Sequence, residues 1–279
     1  MKVSRVFLYL GVLLISAIML FPFLWGVVLS FKDNFGIFNS PTSFPVKWDF
    51  MKYVDTFKKS HITTLFKNSL IVATVTTIGA LFINFLSSFA IARLHHRHEA
   101  MGDFFYYMFL MATAVPIFAI LYPIYQVTMA LRPLGMGVDS IMGLPWPYIA
   151  GSIPFGTLVF VGGLKSIPLE MEEAALLDGC SLLRMLFLIE LPLIMPVFTT
   201  LTIFNFLGAW NEFTLASILL NTTDHFTIPM AASFFKEEFS MDYGAVMRAV
   251  IMILIPQLIF FYIFQRRIIE GMTMTGLKG

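Results

Sequence analysis

The sequence predicts an all-α integral membrane protein that crosses the bilayer six times, and three observations carry that expectation. The 279 residues are 58% hydrophobic and only 13% charged, whereas a soluble domain holds about a quarter charged residues. Mean hydropathy is +0.83. Six separate apolar runs reach or approach the roughly 20 residues that span a hydrocarbon core. They are Val6 to Phe31, Leu65 to Ala92, Phe104 to Leu131, Trp146 to Leu164, Val197 to Leu220 and Tyr243 to Phe264.

The first run follows Lys2 and Arg5, as a signal peptide would, but it is longer than a signal h-region and has no Ala-x-Ala cleavage site. It reads as a retained span. The last run is the clearest. Eleven Leu, Ile, Phe or Val residues between Val250 and Phe264 sum to roughly −3 to −7 kcal/mol of insertion free energy, enough to carry Gln257 and Pro256. The fourth run is interrupted by Pro147, Gly151, Pro154, Gly156, Gly162 and Gly163, so it needs neighbours to satisfy its backbone, and small residues let those neighbours approach. Hydropathy alone would start the fifth run at Leu182. Arg184, Glu190, Pro192 and Pro196 favour a surface segment there, with the span beginning near Val197.

No repeat, low-complexity tract or linker divides the chain, so residues 1–279 read as one domain: a first span and loop (1–64), a five-helix core (65–264) and a tail (265–279). Several functions are disfavoured by composition. A net charge of +1 provides no basic stripe for nucleic acid. Cys180 is the only cysteine, which excludes an intrachain disulfide and a thiol pair. His95, His96 and His98, near Glu99 and Asp103, read as a solvated basic turn, and no metal site is expected. The 31 Phe read as packing and lipid-facing material.

One charged island stands out. Glu170, Glu172, Glu173 and Asp178 belong where a membrane chain meets water or a partner. Ser166 and Pro168 read as a helix start, with the glutamates near the positive end of its dipole. At about 100° per residue, Leu169, Leu176 and Leu177 share one side, and Met171, Ala174 and Ala175 lie opposite. One face can pack on its own protein while the other is small enough to enter a groove. Gly179 stands where a left-handed stop belongs. Ser181 could cap a second short helix running to Ile189 and ended by Pro192. The pattern is an elbow lying along a membrane face; an ordinary interfacial hairpin is the alternative.

The series Glu173-Ala174-Ala175-x3-Gly179-x9-Ile189-x-Leu191-Pro192 resembles, residue for residue, the EAA signature of the membrane subunits of ATP-binding-cassette importers. Ile167-Pro168, Pro196, Trp210-Asn211-Glu212 and the end Gln265-Arg266-x4-Gly271-x4-Gly276-x-Lys278-Gly279 look like the carbohydrate-uptake branch, similar to the maltose-type second permease. The resemblance covers most of the chain and is weakest between Lys32 and Thr64.

It implies a permease subunit that forms half of a sugar pathway and works by alternating access. The elbow would be a cytoplasmic coupling helix between spans four and five, with Glu173, Ala174, Ala175, Asp178, Gly179, Ile189, Leu191 and Pro192 in the ATPase contact. Both termini would then be cytoplasmic and the loop after span one external, in a multi-pass protein of the cell membrane. Counting Lys and Arg, nine inside against seven outside, is too even to decide this. The implied partners are a second permease, two ATPase subunits and an extracytoplasmic sugar-binding protein. The chain has no Gly-x4-Gly-Lys-Ser/Thr loop, so ATP and Mg belong to the partner ATPase, no cofactor is expected on this chain, and it is not expected to be an enzyme. The tail, through Gln265, Gly271, Gly276, Lys278 and Gly279, reads as a frayed terminus by composition; the resemblance implies a second ATPase contact. Asn205, Asn211 and Glu212 are candidates for the translocation path because polar groups inside a span mark functional sites by default, with helix packing as the alternative. Two other classes fit the sequence less well. A stand-alone secondary transporter should show inverted repeats and paired intramembrane charges, and neither is seen. A membrane-embedded enzyme would have to use His95, His98, Glu99, Asp103 or Glu212, which share no obvious cavity.

Overall fold

The computed structural model describes residues 2–59, 61–93, 99–235 and 241–276, and every regular element among them is a helix. The first eight are α1 (Lys2–Ser30), α2 (Asn34–Asn39), α3 (Met51–Lys59), α4 (Ile62–Arg93), α5 (Glu99–Ala112), α6 (Ile117–Ala130), α7 (Pro145–Leu164) and α8 (Leu169–Leu177). An irregular helical arm, Leu182–Leu193, then leads to helix Met195–Asn211. Thr214–Leu219 and the long final helix Tyr243–Gly276 follow. The chain divides into two compact units, residues 1–63 with 230–259 and residues 64–229 with 260–279.

In the first unit the most apolar window of α1, within Phe7–Ser30, carries no buried residue, and only Ser30 at its end is buried. Its end is fixed by polar contacts. Arg248 is 6% exposed; its Nη1 donates to the Ser30 carbonyl at 2.8 Å and its Nε to Thr56 Oγ1 at 2.8 Å. Asn34 donates to the Met241 carbonyl and accepts from the Tyr243 amide. These contacts satisfy backbone groups that a helix end leaves open.

In the second unit α4 has its polar face inward. Asn68, Ser69, Thr76, Thr77, Asn84 and Ser88 are buried, while Ile78 and Phe82 are 65% and 57% exposed. The inversion has a simple cause. A polar side chain needs a partner whereas lipid solvates an apolar one, so helices that cross membranes turn polar and small residues toward each other. Asn68 accordingly donates to the Asp224 and Phe226 carbonyls, and Ser69 accepts from the Ile228 amide. On α7, a Cβ at Gly156 would collide with Asn84 Nδ2, so glycine sets the α4–α7 approach. The main apolar cluster, including Phe85, Phe89, Phe160, Leu164, Ile167, Met185, Leu186 and Ile194, gathers where α4 and α7 end.

Three expected boundaries change. The run Phe104 to Leu131 is no single helix: α5 and α6 meet at 105° across residues 113–116. Pro116 supplies the reason, standing as an extended N-cap to α6 and disfavouring helix at the residue before it. The fifth run stops being helical at Asn211, nine residues before Leu220, because Glu212 caps the next helix instead. The tail is helical as far as Gly276 and not frayed from Gln265. By length and composition the six runs become three uninterrupted candidate spans, two bent pairs and one shorter apolar helix, Tyr243–Ile259.

One polar clasp joins two loops of the second unit. Asp139, at a positive φ of 61°, accepts from the amides of Asn221 and Thr222 at 2.9 and 2.8 Å and from the Thr222 hydroxyl. Burial works against its charge, but these bonds and the contact with His225 outweigh it and hold the carboxyl well below the usual carboxylate range.

Candidate functional site

The charged island folds as an elbow whose first arm is α8. Its N-cap is Pro168, and no side chain caps it. Ser166, expected as the cap, instead turns its hydroxyl back to the Gly163 carbonyl at 2.7 Å, closing the end of α7. Glu170 and Glu172 lie in the first turn of α8, where the helix dipole favours negative charge.

The C-terminal stop is as expected. Gly179 takes a φ of +78°; its amide donates to the Leu176 carbonyl, and the Cys180 amide to the Ala175 carbonyl, both at 3.0 Å. That pair of bonds is the Schellman closure, which relies on a residue that tolerates left-handed backbone. A side chain at 179 would meet no neighbour, so the requirement is conformational, about 1–2 kcal/mol for an L-residue.

The buried side of α8 is Glu172 and Ala175. The leucines do not turn inward: Leu169, Leu176 and Leu177 are 42%, 51% and 89% exposed. The correction follows from Arg93, at the end of α4. Its guanidinium is 6% exposed and sits 2.5 Å from Glu172 Oε1, which draws the glutamate, not the leucines, into the protein. Glu173, Ala174 and Asp178 are left on the surface beside Leu177.

Arg93 reaches further. Its Nε donates to Glu190 Oε1 at 3.3 Å, and Nη2 to the carbonyls of Leu164 and Ile167 at 2.6 and 3.4 Å. One buried cation therefore joins the ends of α4 and α7 to both arms of the elbow. Glu190 is fully buried, and its Oε2 makes no hydrogen bond. Burial first, and then the neighbouring Glu172, push its carboxyl up to about 7, with Arg93 pulling the other way. Two carboxylates against one guanidinium carry an excess negative charge that a single proton removes.

The second arm differs from the expected short helix. Ser181 makes no side-chain cap, and residues Met185–Glu190 form a π-helical stretch, a widening often found at functional sites. Pro192 does not end the arm. It lies in the next turn, and the chain breaks by 82° only after Leu193, before helix Met195–Asn211. Ile189 and Leu191 are half-buried against the apolar cluster. The arm therefore lies off the axis of the span that follows it.

The path candidates have different surroundings. Glu212 accepts from the amides of Leu215 and Ala216 at 2.8 and 3.1 Å and from the Tyr148 hydroxyl at 2.6 Å, which makes it a cap to Thr214–Leu219. Asn211 donates to the Leu207 carbonyl. Asn205 Nδ2 is buried without a hydrogen bond. Among the described residues no group of three His, Cys, Asp or Glu could hold a metal ion. His95, His96 and His98 lie outside those residues, as do Lys278 and Gly279 of the tail; Gln265, Gly271 and Gly276 lie in the final helix. Sequence reasoning singled out Glu172 and Glu190 as charges and missed Arg93 as their partner. The available signal was a basic residue closing a long apolar run.

Comparison with known proteins follows the same outline. Residues 88–273, well over half the chain, match the family described as binding-protein-dependent transport system inner membrane component. The chain is 31% identical over 255 residues to a diacetylchitobiose uptake system permease protein of Streptomyces coelicolor, covering 91% of this chain and 82% of that one. It is 30% identical to a trehalose/maltose transport system permease protein of Thermococcus litoralis, covering 99% and 98%. Among solved structures, a chain of a bacterial ABC transporter that imports the acidic polysaccharide alginate has a TM-score of 0.73 at 20% identity, covering 95% of this chain and 98% of that one.

Proposed function

We infer the role of this chain from the premise that it belongs to the family of binding-protein-dependent transport system inner membrane components. It is a multi-pass inner-membrane permease subunit of an ABC importer, and its substrate is a sugar or oligosaccharide. The observation that carries the mechanism is the elbow: a Schellman-closed helix held from beneath by Arg93, with Glu173, Ala174 and Leu177 turned outward.

An exposed leucine beside an acidic residue, on a short rigid helix, suits a groove on another protein. That protein is a separate ATPase subunit, which carries ATP and Mg. The elbow then faces the cytoplasm, both termini lie on that side, and six spans result when the bent pair α5–α6, helix Met195–Asn211 and the final helix each cross once. The relatives' names support the sugar, and the family's description supports an external binding protein. A second permease completes the pathway. Asn205, Asn211 and Glu212 are proposed to lie along it, and the helical tail to add a second ATPase contact.

Closure of the ATPase pair moves the elbow. Because Arg93 and the apolar cluster bind the elbow to the ends of α4 and α7, that movement passes to the spans as a rigid-body rotation between two states. The test is substitution at the contact: Glu173→Arg reverses a surface charge, and Gly179→Leu opposes the left-handed stop. The expected result is loss of ATP-coupled uptake with the permease still inserted. Normal assembly and normal uptake in both variants would overturn the coupling role.

A further inference from the structure

We propose that the segment just beyond α1 holds a phosphate-bearing anion, the phosphodiester of a membrane phospholipid, at Lys32, Lys47 and Lys52. The starting point is Lys32. It is 5% exposed, and its ammonium donates to the Ser40 carbonyl at 2.6 Å and to Ser43 Oγ at 3.2 Å. These neutral oxygens use two of its three donors. Among the described residues no carboxylate forms an ion pair with it. A buried cation without a counter-charge is costly unless something supplies one.

The ammonium lines a hollow of about 480 Å³ that Lys47 and Lys52 also line. Two aspartates border the same hollow, but both already serve the backbone. Asp33 accepts from the Gly36 amide at 2.8 Å and Asp49 from the Met51 amide at 3.0 Å. Three lysines against two engaged carboxylates leave the hollow one positive charge in excess, with N–H groups available to an anion.

Its place in the fold names the source of that anion. Lys32 stands two residues beyond the end of an apolar helix long enough to cross a membrane. The loop also folds back along that helix: Phe44 meets Trp25 edge to face with ring centroids 6.1 Å apart. Trp25 lies five residues before Ser30, about 7.5 Å down the helix at 1.5 Å per residue. Phe44 and Val46 are nonetheless 68% and 98% exposed. Exposed apolar side chains at the depth of a spanning helix, lining one hollow with three lysines and with Phe31, whose ring tilts against Trp48, match the aromatic and basic layering of a membrane interface. At that level a phosphodiester is the abundant anion, and acyl chains can cover Phe44 and Val46.

The test is native mass spectrometry of the assembled complex containing this chain, titrated with phosphatidylglycerol, with diacylglycerol as the phosphate-free lipid and with excess inorganic phosphate. The wild type should retain phosphatidylglycerol and not diacylglycerol. Lys32→Gln should lower its occupancy about tenfold, the effect of losing one charge-assisted hydrogen bond. Lys47→Gln/Lys52→Gln, at the rim, leaves the Lys32 loop contacts intact and should also reduce retention. Equal retention by all variants, or equal retention of diacylglycerol, would overturn the site. Displacement of the lipid by inorganic phosphate would overturn the lipid as its source. The measurement counts bound lipid and involves no transport, so it stands or falls apart from the importer reading and rests only on α1 being a membrane span.

Discussion

The two units each bury an arginine at the end of a helix, and the two arginines are held in opposite ways. Arg93 meets two buried carboxylates and the carbonyls of Leu164 and Ile167. Arg248 meets a carbonyl and a hydroxyl, and its carboxylate partner Asp242 is 3.7 Å away and 56% exposed. Charge density is what separates them. Around Arg248 neutral oxygens share the cation and water reaches its counter-ion, which suits a fixed staple between α1, α3 and the final helix. Around Arg93 charges oppose each other in the dry core, so the geometry of every partner depends on every other. The proposed coupling role would draw on that dependence, because displacing one arm of the elbow disturbs the other.

The largest test of the contrast is removal of each guanidinium. Arg93→Met leaves Glu172 and Glu190 buried with no cation, and the folded state should lose about 3–5 kcal/mol, the usual cost of stranding a buried charge. Arg248→Met strands only neutral acceptors and an exposed aspartate, so its loss should be nearer 1–3 kcal/mol. Thermal unfolding of the two variants in the same detergent measures both. A loss at Arg248 equal to or larger than that at Arg93 would erase the distinction.

A pH series sharpens it further. The Glu190 carboxyl is raised from the usual 4.5 to about 7, so between those values the folded state holds more protons than the unfolded one. Its contribution to stability is present below about 4.5 and is lost as pH rises through about 7. Glu190→Gln keeps the volume and one acceptor while removing the charge. It should flatten the decline in stability between about pH 4.5 and 7, leaving the variant more stable than the wild type at pH 8 and little changed at pH 5. An unaltered pH profile in this variant would count against a shared proton in the cluster.

The smallest expected effect is at the loop clasp. Asp139 has its carboxyl held below the usual range, so its stabilisation is present above about pH 4 and is lost only in stronger acid. It is 33% exposed, and Asp139→Asn should cost about 1 kcal/mol or less near neutral pH. Thermal melts at pH 7 detect this as a slight shift; a loss comparable to that of Arg93→Met would mean that the clasp, too, is a stress-bearing joint.

Much of this was legible in the sequence where the signal is local. The apolar runs of α1, α4 and α7 lie where hydropathy puts them, and Gly179 announced its own left-handed turn. Pro116 carried the break between α5 and α6, but its effect is hidden inside a run of uniform hydropathy. What the sequence could not provide is contact across distance. Arg93 and Glu190 are separated by 97 positions, and Glu172 turns inward only because Arg93 is there. The face of α8 was therefore misread: helical periodicity groups Leu169, Leu176 and Leu177 correctly but is silent about which side is covered. In a protein surrounded by lipid the usual inference, that leucines point in, loses its force, as α4 also demonstrates with its inward polar row. Glu212 is a similar case. A carboxylate inside a hydropathic run suggested a path residue, and its hydrogen bonds to the Leu215 and Ala216 amides could be found only once the helix was known to end at Asn211.

The central claim is that the outward face of α8 is covered by an ATPase subunit. Maleimide labelling of a Leu177→Cys variant, in a Cys180→Ser background, measures this directly by comparing the isolated permease with the assembled importer. The account predicts rapid labelling of residue 177 alone, where it is 89% exposed, and strong protection once the ATPase is bound. Equal labelling with and without the ATPase, in complexes that still import, would contradict it.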